Sequence, residues 1–124
     1  MRQYQDKPRL LIAMRNELPE GFFGSREWAR LNAVTDIIPG FPYTDFDTEA
    51  GAEALAEADI LLAAWGTPSL TRARLARAPK LRMVAYAASS VRTVAPAEFW
   101  DTSDILITTA ASAMAVPVAE FTYA

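Results

Sequence analysis

The residues that could do chemistry in this 124-residue chain sit in three places. The first is Leu81-Arg82-Met83-Val84-Ala85-Tyr86-Ala87-Ala88-Ser89-Ser90-Val91-Arg92, an apolar run that ends in small residues. That is how a buried parallel strand reads when it runs into a loop that comes close to something. Small side chains at a strand's carboxyl end leave backbone N–H groups uncovered, and successive N–H groups form a concavity that suits an anion. Ligands of open α/β sheets sit beyond the carboxyl ends of strands. Ala88, Ser89 and Ser90 are therefore the ligand-facing candidates, with a tight turn that needs small residues for packing as the competing reading. The second place is Trp65, a large aromatic at a strand end that either lines a pocket or caps the core. The third is the set Glu49, Glu53 and Glu57, whose helical spacing reads as a solvated face rather than acid–base machinery. Asp101 and Asp104 flank a strand start and read as turn residues.

Composition narrows the chemistry further. The chain contains no cysteine and no histidine. Disulfides, thiolate chemistry and cysteine-ligated metals are thereby excluded, and the composition fits a cytoplasmic protein. Histidine is the commonest general base near neutral pH, so any histidine-dependent mechanism must borrow one from elsewhere. Net charge is −3 with scattered Lys and Arg, which argues against nucleic acid or an anionic membrane as the main partner. No apolar run approaches the ~20 residues that span a bilayer, and the polar, charged start (Met1 to Arg9) is no secretory signal. The loop after the first apolar run, Met14-Arg15-Asn16-Glu17-Leu18-Pro19, lacks the glycines of a phosphate cradle. The chain also lacks G-x-G-x-x-G and G-x-S-x-G.

The elements that must position these residues follow in order. Arg9 to Met14 is a first strand, and Arg15 to Gly24 a loop marked by Pro19, Gly21 and Gly24. Ser25 is the expected N-cap of an amphipathic helix through Ala33, followed by a weak strand at Asp36 to Ile38. Gly40 to Asp47 is a turn-rich loop, and Thr48 caps an alanine-rich helix through Ala58. Ile60 to Ala64, unbroken by charge, reads as a central strand. A helix opens at Ser69 or Thr71 and runs through Ala78, with Arg72, Arg74 and Arg77 toward solvent. Leu81 to Tyr86 is the fourth strand and Val94 to Trp100 a short helix, with Phe99 and Trp100 packing under the sheet edge. Ile105 to Thr108 is the fifth strand, and Pro117 begins a last helix over 117–124. This alternation predicts a flavodoxin-like three-layer α/β/α domain, a five-stranded parallel sheet in the order 2-1-3-4-5.

Three blocks in the second half carry a resemblance. Ala58-Asp59-Ile60-Leu61-Leu62 leads through Trp65-Gly66-Thr67-Pro68 to Leu75-Ala76-Arg77-Ala78-Pro79-Lys80-Leu81-Arg82. Val84 to Val91 is the second block, and Ala113 to Thr122, with Pro117-Val118-Ala119-Glu120, is the third. Together they resemble the N-terminal, substrate-side domain of the D-isomer-specific 2-hydroxyacid dehydrogenases, whose pattern reads A-D-x-L-L, T-P, L-x-x-A-P-x-L-R, then V-A-x-A-G-V-G-V-D, then V-A-E-x-T. The resemblance implies a substrate-side domain without its Rossmann partner. That partner would bind NAD or NADP and supply the catalytic arginine, acid and histidine, so no catalytic residue is expected in this chain. It also implies a small 2-oxo or 2-hydroxy acid as ligand. Ala88, Ser89 and Ser90 would meet the substrate carboxylate and Trp65 its side chain, while Ser89 and Thr122 would meet the cofactor. The helix at 117–124 would be a truncated hinge, and its unpaired apolar face predicts a homo-oligomer. Departures are visible: Ala88-Ser89-Ser90 replaces Gly-x-Gly, Arg92 replaces an aspartate and Met114 an asparagine. A stand-alone, non-catalytic interaction or regulatory domain of the same fold is the alternative reading.

Overall fold

The computed structural model describes residues 7–88 and 90–110. Along them run β1 (Arg9–Ala13), α1 (Leu18–Phe22), α2 (Ser25–Val34), β2 (Asp36–Ile37), α3 (Glu49–Glu57), β3 (Ile60–Ala63), α4 (Arg72–Ala76), β4 (Met83–Tyr86), α5 (Ala97–Thr102) and β5 (Leu106–Thr109). The strands form one parallel sheet in the order β2-β1-β3-β4-β5, the flavodoxin-like order read from the alternation. β3 is central, and its register places Ala63 beside Ala13 on one side and beside Tyr86 on the other.

Alternation along each strand sorts the core into two layers. Leu11, Ala13, Leu61, Ala63, Val84 and Tyr86 face a larger cluster completed by Ala54 and Leu55 of α3, Leu75 of α4 and Phe99 of α5. Leu10, Ile12, Ile60 and Leu62 face the opposite side, covered by Leu18 and Phe22 of α1 and Trp28 and Leu31 of α2. Leu106 of the edge strand β5 points away from the larger cluster and is 60% exposed.

Several local expectations are corrected. Residues 15–24 are not all loop, because Pro19 sits in the first turn of α1, where its missing N–H costs nothing. The cap of α2 is Gly24 rather than Ser25: the Glu27 carboxylate reaches back and accepts from the Gly24 N–H at 2.9 Å. Phe99 is buried as expected, but Trp100 is 54% exposed, since neighbouring helical positions face different ways. Thr48 and Thr71 cap α3 and α4 through their hydroxyls, accepting from Gly51 N–H at 3.0 Å and Arg74 N–H at 3.3 Å.

Arg74 is not a free solvent-side cation either. Its guanidinium donates to Asp47 at 2.7 and 3.3 Å, and Arg77 donates to the same carboxylate at 2.8 Å. These hydrogen bonds, Arg74's first, hold the Asp47 carboxyl down from 3.8 to about 2. They tie the loop before α3 to α4. Because the folded value is depressed, the cluster's contribution is whole above 3.8 and is lost as pH falls toward about 2. The stability difference between the wild type and Asp47→Asn, read from urea midpoints, is expected to shrink across that acid window and to stay constant above it.

Candidate functional site

Three adjacent strands, β1, β3 and β4, end side by side. The residues that leave them are Met14-Arg15, Ala64-Trp65-Gly66-Thr67 and Ala87-Ala88. The parallel arrangement gathers all three exits at one edge of the sheet, which is where ligands of open α/β sheets bind.

The first two exits are fastened to each other. The Arg15 N–H donates to the Trp65 carbonyl at 2.9 Å, and the Arg15 carbonyl accepts from Leu18 N–H at 3.1 Å. Gly66 makes this close approach feasible. Its φ is +91°, and a Cβ there would lie 2.6 Å from Arg15 Cγ and 2.9 Å from Arg15 N. The space beside Gly66 is thus filled by Arg15. Thr67 completes the junction: its buried Oγ1 accepts from Ala64 N–H at 2.9 Å and lies within donating distance of the Ala13 and Ala64 carbonyls.

Trp65 is 45% exposed and rests against Phe22 at a ring separation of 6.3 Å. From Phe22 a chain of ring contacts runs through Phe23 and Trp28 to Phe41, at 6.3, 5.0 and 5.5 Å. The carboxyl edge above β1 and β3 therefore has an aromatic wall, with the Arg15 backbone fastened to Trp65.

At the third exit, the Ala87 N–H donates to the Ala63 carbonyl at 2.7 Å, and the Ala88 carbonyl accepts from Ala110 N–H at 3.1 Å. Ala88 as a whole is 2% exposed and belongs to the larger core cluster, so neither its methyl nor its backbone is open to solvent. Ser90 is exposed. Ser89, Thr122 and the expected hinge helix at 117–124 lie outside the described residues. Sequence reading singles out Trp65, Ala88 and Ser90 at this edge but not Arg15, Phe22, Gly66 or Thr67. The available signal was a glycine and a threonine directly after an apolar strand, a pairing that suits a tight, self-bonded turn.

Other features of the described residues lie elsewhere. Glu49, Glu53 and Glu57 form the exposed face of α3, and Glu57 pairs with Arg9 at 3.1 Å. A cavity of about 240 Å³ lies beside them, lined in part by Arg9, Ile38, Tyr43, Glu53 and Glu57. A second, of about 180 Å³, lies at the amino ends of β4 and β5 between Leu81, Arg82, Asp104 and Ile105. Among the described residues no group of three or more acidic residues is placed to hold a metal, and no helix is long and apolar enough to cross a membrane.

No family model matches the chain, and no curated protein matches it by sequence. Solved structures do. A phosphoglycerate oxidoreductase from Rhizobium etli aligns at TM-score 0.71 and 23% identity, over 93% of this chain and 34% of that one. An acyclic imino acid reductase (Bsp5) in complex with NADPH and D-Arg aligns at TM-score 0.55 and 15% identity, over 82% of this chain and 30% of that one. The chain thus has the fold of a flavodoxin-like domain that makes up about a third of larger reductase and oxidoreductase chains.

Proposed function

We propose that the chain is the substrate-side domain of a cytoplasmic NAD- or NADP-dependent oxidoreductase of the D-isomer-specific 2-hydroxyacid dehydrogenase type. One observation carries this reading: nearly the whole chain, 93%, superposes on about a third of an oxidoreductase. The small-residue loop at the end of β4 adds to it. In the sequence resemblance that loop meets a substrate carboxylate, and in the fold it stands at the edge where α/β sheets take ligands.

In this reading the chain's own residues bind and orient. The loop that leaves β4, where Ser90 is exposed, would present backbone N–H groups to the carboxylate of a 2-oxo or 2-hydroxy acid. Hydrogen bonds to a charged group are the stronger kind, about 1.5–3 kcal/mol each. Trp65 and Phe22 form the wall against the rest of the substrate and keep water from that side.

The nicotinamide cofactor would supply or take the hydride. The described residues do not fit its pyrophosphate. The exit from β1 carries no glycine and runs into a five-residue helix, and the space beside Gly66 is filled by Arg15. The dinucleotide, together with the arginine, acid and histidine of the chemistry, belongs to a Rossmann partner domain in this proposal.

Sequencing the source gene past codon 124 tests it. The expected result is a G-x-G-x-x-G fingerprint within a few tens of codons, followed by an arginine and a later histidine. An immediate stop codon would favour the interaction or regulatory domain instead. The 124-residue chain alone is expected to show no NADH-dependent reduction of 2-oxo acids; measurable turnover would overturn the assignment of catalysis to a second domain.

A further inference from the structure

We propose that β5 is a docking edge for a second copy of this chain, with the two β5 strands pairing antiparallel across a two-fold axis at Ile107. The inference is independent of the substrate-side reading above.

The two edges of the sheet differ. β2 closes one of them with two residues, Asp36 and Ile37. Asp36 brings a charge, paired with Arg9 at 3.3 Å, and Pro39 follows directly after Ile38. A very short strand, a charge and a proline are devices that keep an edge from pairing. β5 closes the other edge with four residues and carries no such guard. From Ile105 to Ala110 the chain reads Ile-Leu-Ile-Thr-Thr-Ala, without charge, proline or glycine. Its isoleucines and threonines are among the preferred strand formers.

The backbone sets the register. The Leu106 N–H donates to the Arg82 carbonyl and the Ala110 N–H to the Ala88 carbonyl, both at 3.1 Å. Both backbone groups of one strand residue face the same side, and successive residues alternate. Leu106 and Thr108 therefore face β4, while the N–H and C=O of Ile107 face outward, where no strand stands among the described residues. An outward residue can exchange two hydrogen bonds with its own copy in an antiparallel pair. Centred there, the pairing sets Ile107 opposite the partner's Ile107 and Leu106 opposite the partner's Thr108.

Side chains and charges suit that register. Leu106 is 60% exposed, and Thr108 is exposed on the same face of the sheet. The cluster that α1 and α2 cover on this face includes no residue of β5. Pairing covers Leu106 with a threonine directly across and brings the two Leu106 side chains within diagonal reach. The adjacent charge, Asp104, comes opposite the partner's Ala110, so no like charges meet. The contact is isologous and each chain has one such edge, so association closes at two copies.

Sedimentation velocity of the 124-residue chain, from micromolar to millimolar concentration, tests this, with amide hydrogen exchange read at both ends. The expected result is a monomer that becomes a dimer. The Ile107 amide should exchange more slowly in the dimer, while the Leu106 amide, already bonded to β4, should not change. Ile107→Pro removes the outward donor and leaves the bonds to β4, since proline is tolerated on an edge strand. It should weaken the dimer by about tenfold or more, the effect of losing the central pair of backbone bonds. Leu106→Lys should also weaken it, and adding Thr108→Glu should restore it, because the register sets each lysine opposite a glutamate. A wild type that stays monomeric at millimolar concentration overturns the proposal, and this measurement needs no variant. A dimer of unchanged affinity in folded Ile107→Pro overturns it too. So does a double variant that associates no more tightly than Leu106→Lys alone.

Discussion

Phe46→Ala is expected to cost about 3–5 kcal/mol of folding stability, the range for removing a fully buried aromatic ring. Phe46 sits in the connection between β2 and α3, yet it is 0% exposed and belongs to the larger core cluster with Leu11, Leu55 and Leu61. The chain that follows it is anchored. Asp47, the next residue, is held by Arg74 and Arg77, and Thr48 beyond it caps α3. The neighbours are thus fixed by their own bonds and cannot collapse easily into the space a lost ring would leave, which places the cost toward the upper part of the range. A domain of this size has about 5–15 kcal/mol in total, so a large fraction of the variant should be unfolded at modest urea. Urea unfolding followed by far-UV circular dichroism measures this. A loss below about 1 kcal/mol would mean that the loop repacks and that Phe46 is not part of the core.

Thr67→Val should lower stability by about 2–3 kcal/mol although the side chain keeps its shape. The hydroxyl is buried, and it is the acceptor for the Ala64 N–H and a donor toward the Ala13 carbonyl. A methyl in its place leaves the Ala64 N–H without that acceptor, and an unsatisfied buried donor costs its full desolvation. Thr67→Ser keeps the bonds and removes one methyl, a loss of about 1 kcal/mol. The two variants thus separate hydrogen bonding from packing. A second readout follows from place. Thr67 fastens the exit of β3 to that of β1, so the valine variant should also move the Trp65 indole resonance, whereas serine should leave it where it is. Equal destabilisation by valine and serine would show that the bonds contribute little.

The sheet was legible because its signals are local. Leu10-Leu11-Ile12 and Ile60-Leu61-Leu62 are short apolar runs, each separated from the next by a capped, helix-favouring stretch. Such alternation leaves a parallel sheet with right-handed crossovers as the economical solution. Thr48, and Thr71 as one of two candidates beside Ser69, were readable as caps because a hydroxyl needs only the N–H groups of its own next turn. Gly24 was not, since Ser25 offers the better side chain and only the folded geometry shows Glu27 reaching back to the Gly24 N–H. Phe46 and Asp47 were hidden inside a turn-rich stretch. Nothing local distinguishes a loop phenylalanine that plugs the core from one that faces water, and the arginines that hold Asp47 come from a helix beyond the next strand.

By itself, then, the sequence determined the layer architecture, the strand order and the absence of histidine and cysteine chemistry. It also marked the end of β4, through its small residues, as a place for close approach. Tertiary structure alone decided how the exits of β1 and β3 join. Arg15 and Trp65 meet because β1 lies beside β3, with Ala13 in register with Ala63, and because Gly66 adopts a positive φ that lets Arg15 close against it. Periodicity and capping act over one or two turns, whereas the register of paired strands joins residues far apart in the chain. The junction between the exits of β1 and β3 is set by the second kind of constraint, so it could be read only from the fold.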